Sequence, residues 1–235
     1  MSRPDLKLYY SSTPNGHKPL LLLEELQVPY SLIPVDLNSG EQYSEAFSRI
    51  SPNNRIPALQ DFGPLDNGEN IEIFESAAIL YYLAEKYQRF IPSELRLKLI
   101  VNQWLYWQMS ALGPMAGQAH HFLHYAPVTV DYGINRYVTE CSRLYQVLER
   151  RLTNRNYIAD QYSIADMAIW GWVMRHHRHQ QNLDDFPAIR SWFNLLEQRP
   201  AVQKVREIAA QQMGVNTDVD DDARAVLFKL SSDSK

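Results

Sequence analysis

Across residues 7–87 the hydrophobic pattern switches repeatedly between the two-residue and the helical period. The order of those switches constrains this chain more than any other feature. Lys7-Leu8-Tyr9-Tyr10-Ser11 reads as a strand, closed by the turn cluster Thr13-Pro14-Asn15-Gly16. Residues 18–26 follow as a helix whose Leu20, Leu21, Leu22, Leu23 and Leu26 are too apolar for a surface role alone. Residues 31–37 form a second strand. A helix between two strands is the connection that parallel pairing requires, so a βαβ unit is expected. A short helix at 41–49, strands at 58–61 and 71–74, and an amphipathic helix at 75–87 complete the block. The last two strands are joined through Asp66-Asn67-Gly68, a hairpin signal because both central positions accept positive φ. The expected order is β-α-β-α-β-β-α.

Phe90-Ile91-Pro92-Ser93 breaks this pattern as a linker, and no strand is expected beyond it. Residues 95–112 read as one long helix containing Trp104, Tyr106 and Trp107. Tyr137, Cys141, Leu144, Tyr145, Leu148 and Leu152 share one face of another. Further helices are expected at 163–174, 188–197 and 200–210, the last with Pro200 in its first turn, where a missing N–H costs nothing. The domain boundaries that follow are 1–88 for a thioredoxin-like α/β domain and 93–210 for an all-helical one. Residues 211–235, with Asp218, Asp220, Asp221 and Asp222, read as an acidic, mobile tail.

Composition narrows the function. With 45% hydrophobic and 21% charged residues the 235-residue chain can bury a real core. A net charge of −4 counts against nucleic-acid and anionic-membrane partners, which select a basic face. The one cysteine, Cys141, cannot form an internal disulfide, and it falls on the apolar helix face, where a buried, inert thiol is expected. No apolar leader follows Met1, and no run reaches the roughly 18 apolar residues of a membrane span. The expected location is the cytoplasm.

Three short segments carry possible chemistry. In Asn53-Asn54-Arg55-Ile56-Pro57-Ala58-Leu59, Pro57 stands at the entrance to a strand. It reads either as a trans strand-opening proline or as a cis proline that turns the Ile56 backbone outward to pair with an extended peptide. Glu75-Ser76 opens a helix, and serves either as a plain cap or as a site for an amino-acid head group. In the second case the helix N–H groups and the Ser76 hydroxyl meet the carboxylate, and Glu75 meets the ammonium. Thr13-Pro14-Asn15-Gly16 reads as an ordinary turn with a cap, or as a place where helix dipole and donors favour a thiolate. No cysteine stands there, so any thiol at work comes from a ligand.

Taken together, the order, spacing and flanks of Thr13-Pro14-Asn15, Ile56-Pro57 and Glu75-Ser76 resemble the glutathione transferase superfamily. The capping box in Tyr162-Ser163-Ile164-Ala165-Asp166 adds a fourth match, and the resemblance spans roughly residues 5–210. Thr13-Pro14-Asn15-Gly16-His17-Lys18, Ser51-Pro52-Asn53-Asn54 and the stretch 113–122 are most similar to the bacterial nu class and to fungal relatives of the yeast nitrogen-regulator prion protein. The resemblance implies a thioredoxin-like N-terminal domain with an all-α C-terminal domain. It also implies a homodimer that takes one or two glutathione molecules, or oxidised glutathione, at each active site. On this resemblance Thr13 and Asn15 are the catalytic pair near the sulfur, and Ile56, beside Pro57, meets the cysteinyl unit through its backbone. Glu75 and Ser76 hold the γ-glutamyl end, Gln42 and Arg55 or its backbone sit by the glycyl or peptide part, and Arg136 reaches a glutathione carboxylate. Tyr9, Tyr10, Ser11 and Ser12 stay open as thiol donors.

The implied reaction is glutathione-dependent reduction of a disulfide. A transferase adding glutathione to electrophiles is the alternative, with Met109, Met115, Phe122 and Trp170 as an apolar second pocket. Further alternatives are a non-catalytic regulatory glutathione-binding protein and a scaffold that has lost the site. Partners are thus glutathione and a small disulfide or electrophile. No metal is expected: His120 and His124 stand i,i+4 without a third ligand in register, and His176-His177-Arg178-His179 reads as a solvated helix end. The tryptophans read as core or interface anchors. The glycines form no phosphate-cradling pattern.

Overall fold

A computed structural model describes residues 5–63, 69–212 and Val226. The turn expected at Asp66-Asn67-Gly68 and the acidic run at 218–222 lie outside the described residues. The chain divides into two compact units, Met1–Lys86 with Lys204–Lys235, and Tyr87–Gln203.

The first unit contains β1 (Leu6–Tyr10), α1 (Pro14–Leu26), β2 (Tyr30–Pro34), α2 (Glu45–Ile50), β3 (Ala58–Asp61), β4 (Ile71–Phe74) and α3 (Ser76–Tyr87), the order expected from the sequence. A single 3₁₀ turn, Glu41–Tyr43, precedes α2. The sheet runs β2-β1-β3-β4. β1 and β2 are parallel, as the α1 crossover requires, and the other two pairings are antiparallel. Leu6, Leu8 and Tyr10 are buried while Lys7 and Tyr9 between them are half-buried, the two-residue alternation of a strand. α1 starts at Pro14 rather than at residue 18, because Thr13 caps it and Pro14 fits the first turn. β3 and α3 are tied through Asp61, which accepts from Tyr82 Oη at 2.7 Å, from Gly63 N at 2.9 Å and from the buried Lys86 ammonium.

The second unit holds α4 (Leu95–Trp107), α5 (Gly113–His120), α6 (Asp131–Leu152), α7 (Ile164–Val173) and α8 (Pro187–Glu197), and the division between units falls inside α9 (Pro200–Gln212). The span 95–112 is helical throughout, as expected, but its last turn is not α-helical and the helix runs on into α5. Gln108–Leu112 and His121–Tyr125 are π-helical turns on either side of α5, a departure found mostly as single turns and often at functional sites. Every residue of α7 is buried, which explains its nearly unbroken apolar sequence. Its Ser163–Asp166 capping box is present, and the buried Asp166 also receives the N–H of Ile158 at 3.0 Å and the indole N–H of Trp192 at 2.9 Å. Cys141, Leu144, Tyr145, Leu148 and Leu152 are buried on one face of α6, as expected. Among the described residues no helix is long and apolar enough to cross a membrane.

Candidate functional site

The sheet register gathers three of the four sequence signals. Ala58 pairs with Tyr9 on one side and with Phe74 on the other. The end of β1, the start of β3 and the end of β4 therefore lie side by side. The segments 11–16, 55–57 and 75–76 all leave or enter the sheet at that one edge.

At the first of them, Thr13 is extended (φ −130°, ψ 159°), and its Oγ1 accepts the Gly16 N–H at 3.1 Å. The first turn of α1 carries no acidic side chain, so nothing there opposes an anion at its positive end. Gly16 is fixed by space. A Cβ on it would fall 2.3 Å from the backbone oxygen of Ser11 and 3.1 Å from the Tyr10 ring. The neighbouring tyrosines are engaged elsewhere. Tyr9 Oη donates to Gln60 Oε1 at 2.7 Å, and burial, then the charge of Glu72, raise its pKa. The buried Tyr10 hydroxyl lies 3.0 Å from His17 Nδ1. Ser12 remains available, its Oγ buried and without a hydrogen-bond partner among the described residues.

At the second segment the Ile56–Pro57 peptide is cis, the second of the two readings. Ile56 is half-buried, and no backbone hydrogen bond among the described residues involves it. The preceding loop is pinned from behind. Asn54, in the left-handed region at φ 53°, donates through Nδ2 to Gln42 O at 3.0 Å and to Ser48 Oγ at 2.6 Å. Arg55 is exposed, its Nη1 donating to Asn54 O at 3.1 Å. Gln42 is buried, with Nε2 donating to Leu37 O at 3.3 Å. Its Oε1 has no partner among the described residues.

The third segment is the sharp passage from β4 to α3. Glu75 adopts φ 70°, a strained region for a residue with a Cβ, and its carbonyl accepts from Ile79 N at 3.0 Å. α3 therefore starts at Ser76, one residue later than expected. The Glu75 side chain is exposed while Ser76 is buried. Beneath them lies a residue that sequence reasoning passed over. Lys18 is wholly buried, with Nζ 3.4 Å from Ser76 Oγ. Burial draws its pKa down to about 7, with the charge of Glu75 working in the opposite direction. A signal was present, since Lys18 stands three and four positions before Leu21 and Leu22, on the inward stripe of α1.

Arg136 stands in the second unit on α6, 3.9 Å from Glu140, which also receives Arg143 at 2.6 Å. His176-His177-Arg178-His179 is not simply a solvated helix end. It is a 3₁₀ turn whose His179 is buried against His120. Among the described residues no group of three or more His, Cys, Asp or Glu is placed to hold a metal ion. Trp170 and Trp172 are buried.

An α/β unit of this order and register, with a capped helix start, a cis-proline strand entrance and a left-handed strand-to-helix junction on one sheet edge, is a thioredoxin-like domain. Comparison with known proteins carries this further. The family model for the glutathione S-transferase N-terminal domain matches residues 4–85, and that for the C-terminal domain matches residues 135–200. The chain is 49% identical over 197 residues to the disulfide-bond oxidoreductase YfcG of Escherichia coli (strain K12), covering 83% of this chain and 92% of that protein. It is 34% identical over 244 residues to the disulfide-bond oxidoreductase YghU of the same organism, covering 98% and 84%. A Pseudomonas putida glutathione transferase, solved with one glutathione disulfide bound per subunit, superposes with a TM-score of 0.83 at 36% identity, covering 87% and 92%. The chain belongs to the glutathione transferase family.

Proposed function

We propose that this chain is a glutathione-dependent disulfide-bond oxidoreductase that uses the thiol of glutathione itself. The observation that carries the reading is the helix start at Thr13. It is built to favour a thiolate, yet it bears no cysteine, and the one cysteine of the chain is buried on α6. The names of YfcG and YghU, and the glutathione disulfide bound to the Pseudomonas putida transferase, support it.

In this reaction a glutathione thiolate attacks one sulfur of a small disulfide, forming a mixed disulfide and releasing one thiolate. A second glutathione thiolate then attacks the glutathione sulfur of the mixed species. Oxidised glutathione leaves, and the two substrate thiolates take up the two protons that the glutathione thiols gave up. Two glutathione thiols give up two electrons, and the substrate disulfide accepts both. Thr13 and Asn15 place and stabilise the thiolate at the positive end of α1. Ile56, beside Pro57, pairs with the cysteinyl backbone. Glu75 takes the γ-glutamyl ammonium, and Ser76 with the α3 N-terminus takes its carboxylate. Gln42 and Arg55 flank the glycyl end, and Arg136 meets a carboxylate. The same reading assigns residues 1–88 and 93–210 as the two domains and the cytoplasm as the location, with a homodimer as the working form.

Conjugation to electrophiles draws less support. Trp170, one of the four residues read as its apolar pocket, is core, with Nε1 donating to Glu197 Oε1 at 2.8 Å.

Turnover of a small hydroxyalkyl disulfide, measured with glutathione beside a chlorinated aromatic acceptor, tests the proposal. Disulfide turnover well above conjugation is expected. Conjugation without disulfide turnover would reverse the assignment, and glutathione binding with neither turnover would favour a regulatory role.

A further inference from the structure

We infer that Lys18 is a positioning residue for the γ-glutamyl end of glutathione, setting the direction in which the Ser76 hydroxyl donates; this rests on the glutathione reading above. Lys18 Nζ lies 3.4 Å from Ser76 Oγ, and both side chains are buried at the junction of α1 with the opening turn of α3. A charged amine has only donors, whereas a hydroxyl has one donor and two acceptor lone pairs. Of this pair Ser76 must therefore accept, and its own proton is turned away from Lys18. Ser76 is the first residue of α3, so that donor stands at a helix N-terminus, where a carboxylate is favoured. The exposed carboxylate of Glu75 and a carboxylate bound at that N-terminus both favour the charged amine. Lys18 so supplies a buried positive charge beside Ser76, where the hydroxyl and the α3 N–H groups are neutral donors.

A buried lysine of purely structural purpose would respond alike to every ligand of the site, and that difference gives the test. Binding of two ligands to the full chain is measured by calorimetry at pH 6. One is glutathione. The other is γ-aminobutyryl-cysteinyl-glycine, which lacks only the α-carboxylate of the γ-glutamyl unit. Wild type, Lys18→Met and Lys18→Arg are compared, with circular dichroism as the check on folding. Lys18→Met is expected to weaken glutathione about tenfold or more, the scale of a lost hydrogen-bonded charge, and to shift the analogue less than about twofold. Lys18→Arg is expected to restore most of the preference for glutathione. Equal weakening of both ligands, or of neither, overturns the inference while leaving the glutathione reading intact. Failure of wild type to bind either ligand overturns that reading itself.

Should Lys18→Met not fold, wild-type protein labelled with ¹³C at lysine Cε replaces it, with the Lys18 signal assigned by its loss in Lys18→Arg. Glutathione is expected to move that signal and the analogue to leave it in place. A signal indifferent to glutathione, or moved equally by both, overturns the inference.

Discussion

His120 Nε2 lies 2.9 Å from His179 Nδ1, and the other ring nitrogen of His179 lies 2.8 Å from the Tyr145 hydroxyl, so two histidine runs far apart in sequence form one buried chain. Burial, reinforced by Arg178, His124, Arg175 and His177, draws the His120 pKa down to about 3. Burial and the surrounding histidines hold His179 well below its ordinary value. An unfolded chain protonates both rings near pH 6.5, while the folded chain refuses those protons until far lower pH. Stability is therefore full above pH 6.5 and falls as pH drops below it, by about 1.4 kcal/mol per pH unit for each refused proton. Urea midpoints at pH 7.5 and pH 5 check this. A marked fall at pH 5 is expected, and His120→Gln should reduce it; identical midpoints in wild type would contradict the argument.

Thr13 holds the start of α1 through its hydroxyl, which Ser can replace and Ala cannot. Thr13→Ala is expected to lose about 1 kcal/mol of stability, and Thr13→Ser much less. Thr13→Ala and Asn15→Ala should each lower disulfide turnover roughly tenfold or more, as the loss of one donor to a developing anion does elsewhere. Thermal melts alongside kcat/KM separate the two effects. Full turnover in Asn15→Ala would remove it from the mechanism.

Gly16→Ala places a methyl 2.3 Å from the Ser11 carbonyl oxygen, an atom of the backbone that cannot swing aside. Relief requires the loop before α1 to move. The expected cost is about 1–3 kcal/mol, with weakened glutathione binding because the same loop carries Thr13. A variant that melts like wild type would show that the loop yields freely.

Burial, aided by Glu140, pushes the Cys141 thiol up to about 12, so little thiolate exists at neutral pH. Cys141→Ala is expected to keep full glutathione-dependent turnover and to lose about 1 kcal/mol of stability from the small cavity. Native protein should react with thiol reagents only as fast as it unfolds. Turnover lost in a folded Cys141→Ala would return the redox role to the chain.

The strand and helix order was legible because local periodicity reports which face is buried, and in β1 and α6 that face is continuous. The start of α1 was less so. Thr13-Pro14-Asn15-Gly16 has the chemistry of a turn and also of a capped first turn, and packing of Gly16 on Ser11 decides between them. The π-helical turns at Gln108–Leu112 and His121–Tyr125 leave the apolar spacing of a long helix almost intact, so pattern alone could not find them. His179 looked solvated because its sequence neighbours are polar, yet its burial is set by His120 and Tyr145. Lys18 was overlooked because its partner Ser76 stands 58 positions away. The site segments themselves were legible as types of residue at junctions. Only the register of Ala58 between Tyr9 and Phe74 brings them to one edge.

The vacancy for a cysteine at the head of α1 has a consequence for survival under oxidative attack. Hydrogen peroxide carries a reactive cysteine through sulfenic to sulfinic acid, where most enzymes are lost. Here the one sulfhydryl of the chain is buried, and the working sulfur of the proposed reaction belongs to a replaceable tripeptide. Such a catalyst stores no electrons between turnovers. Its direction is then dictated by the ratio of reduced to oxidised glutathione around it rather than by a potential fixed in the fold.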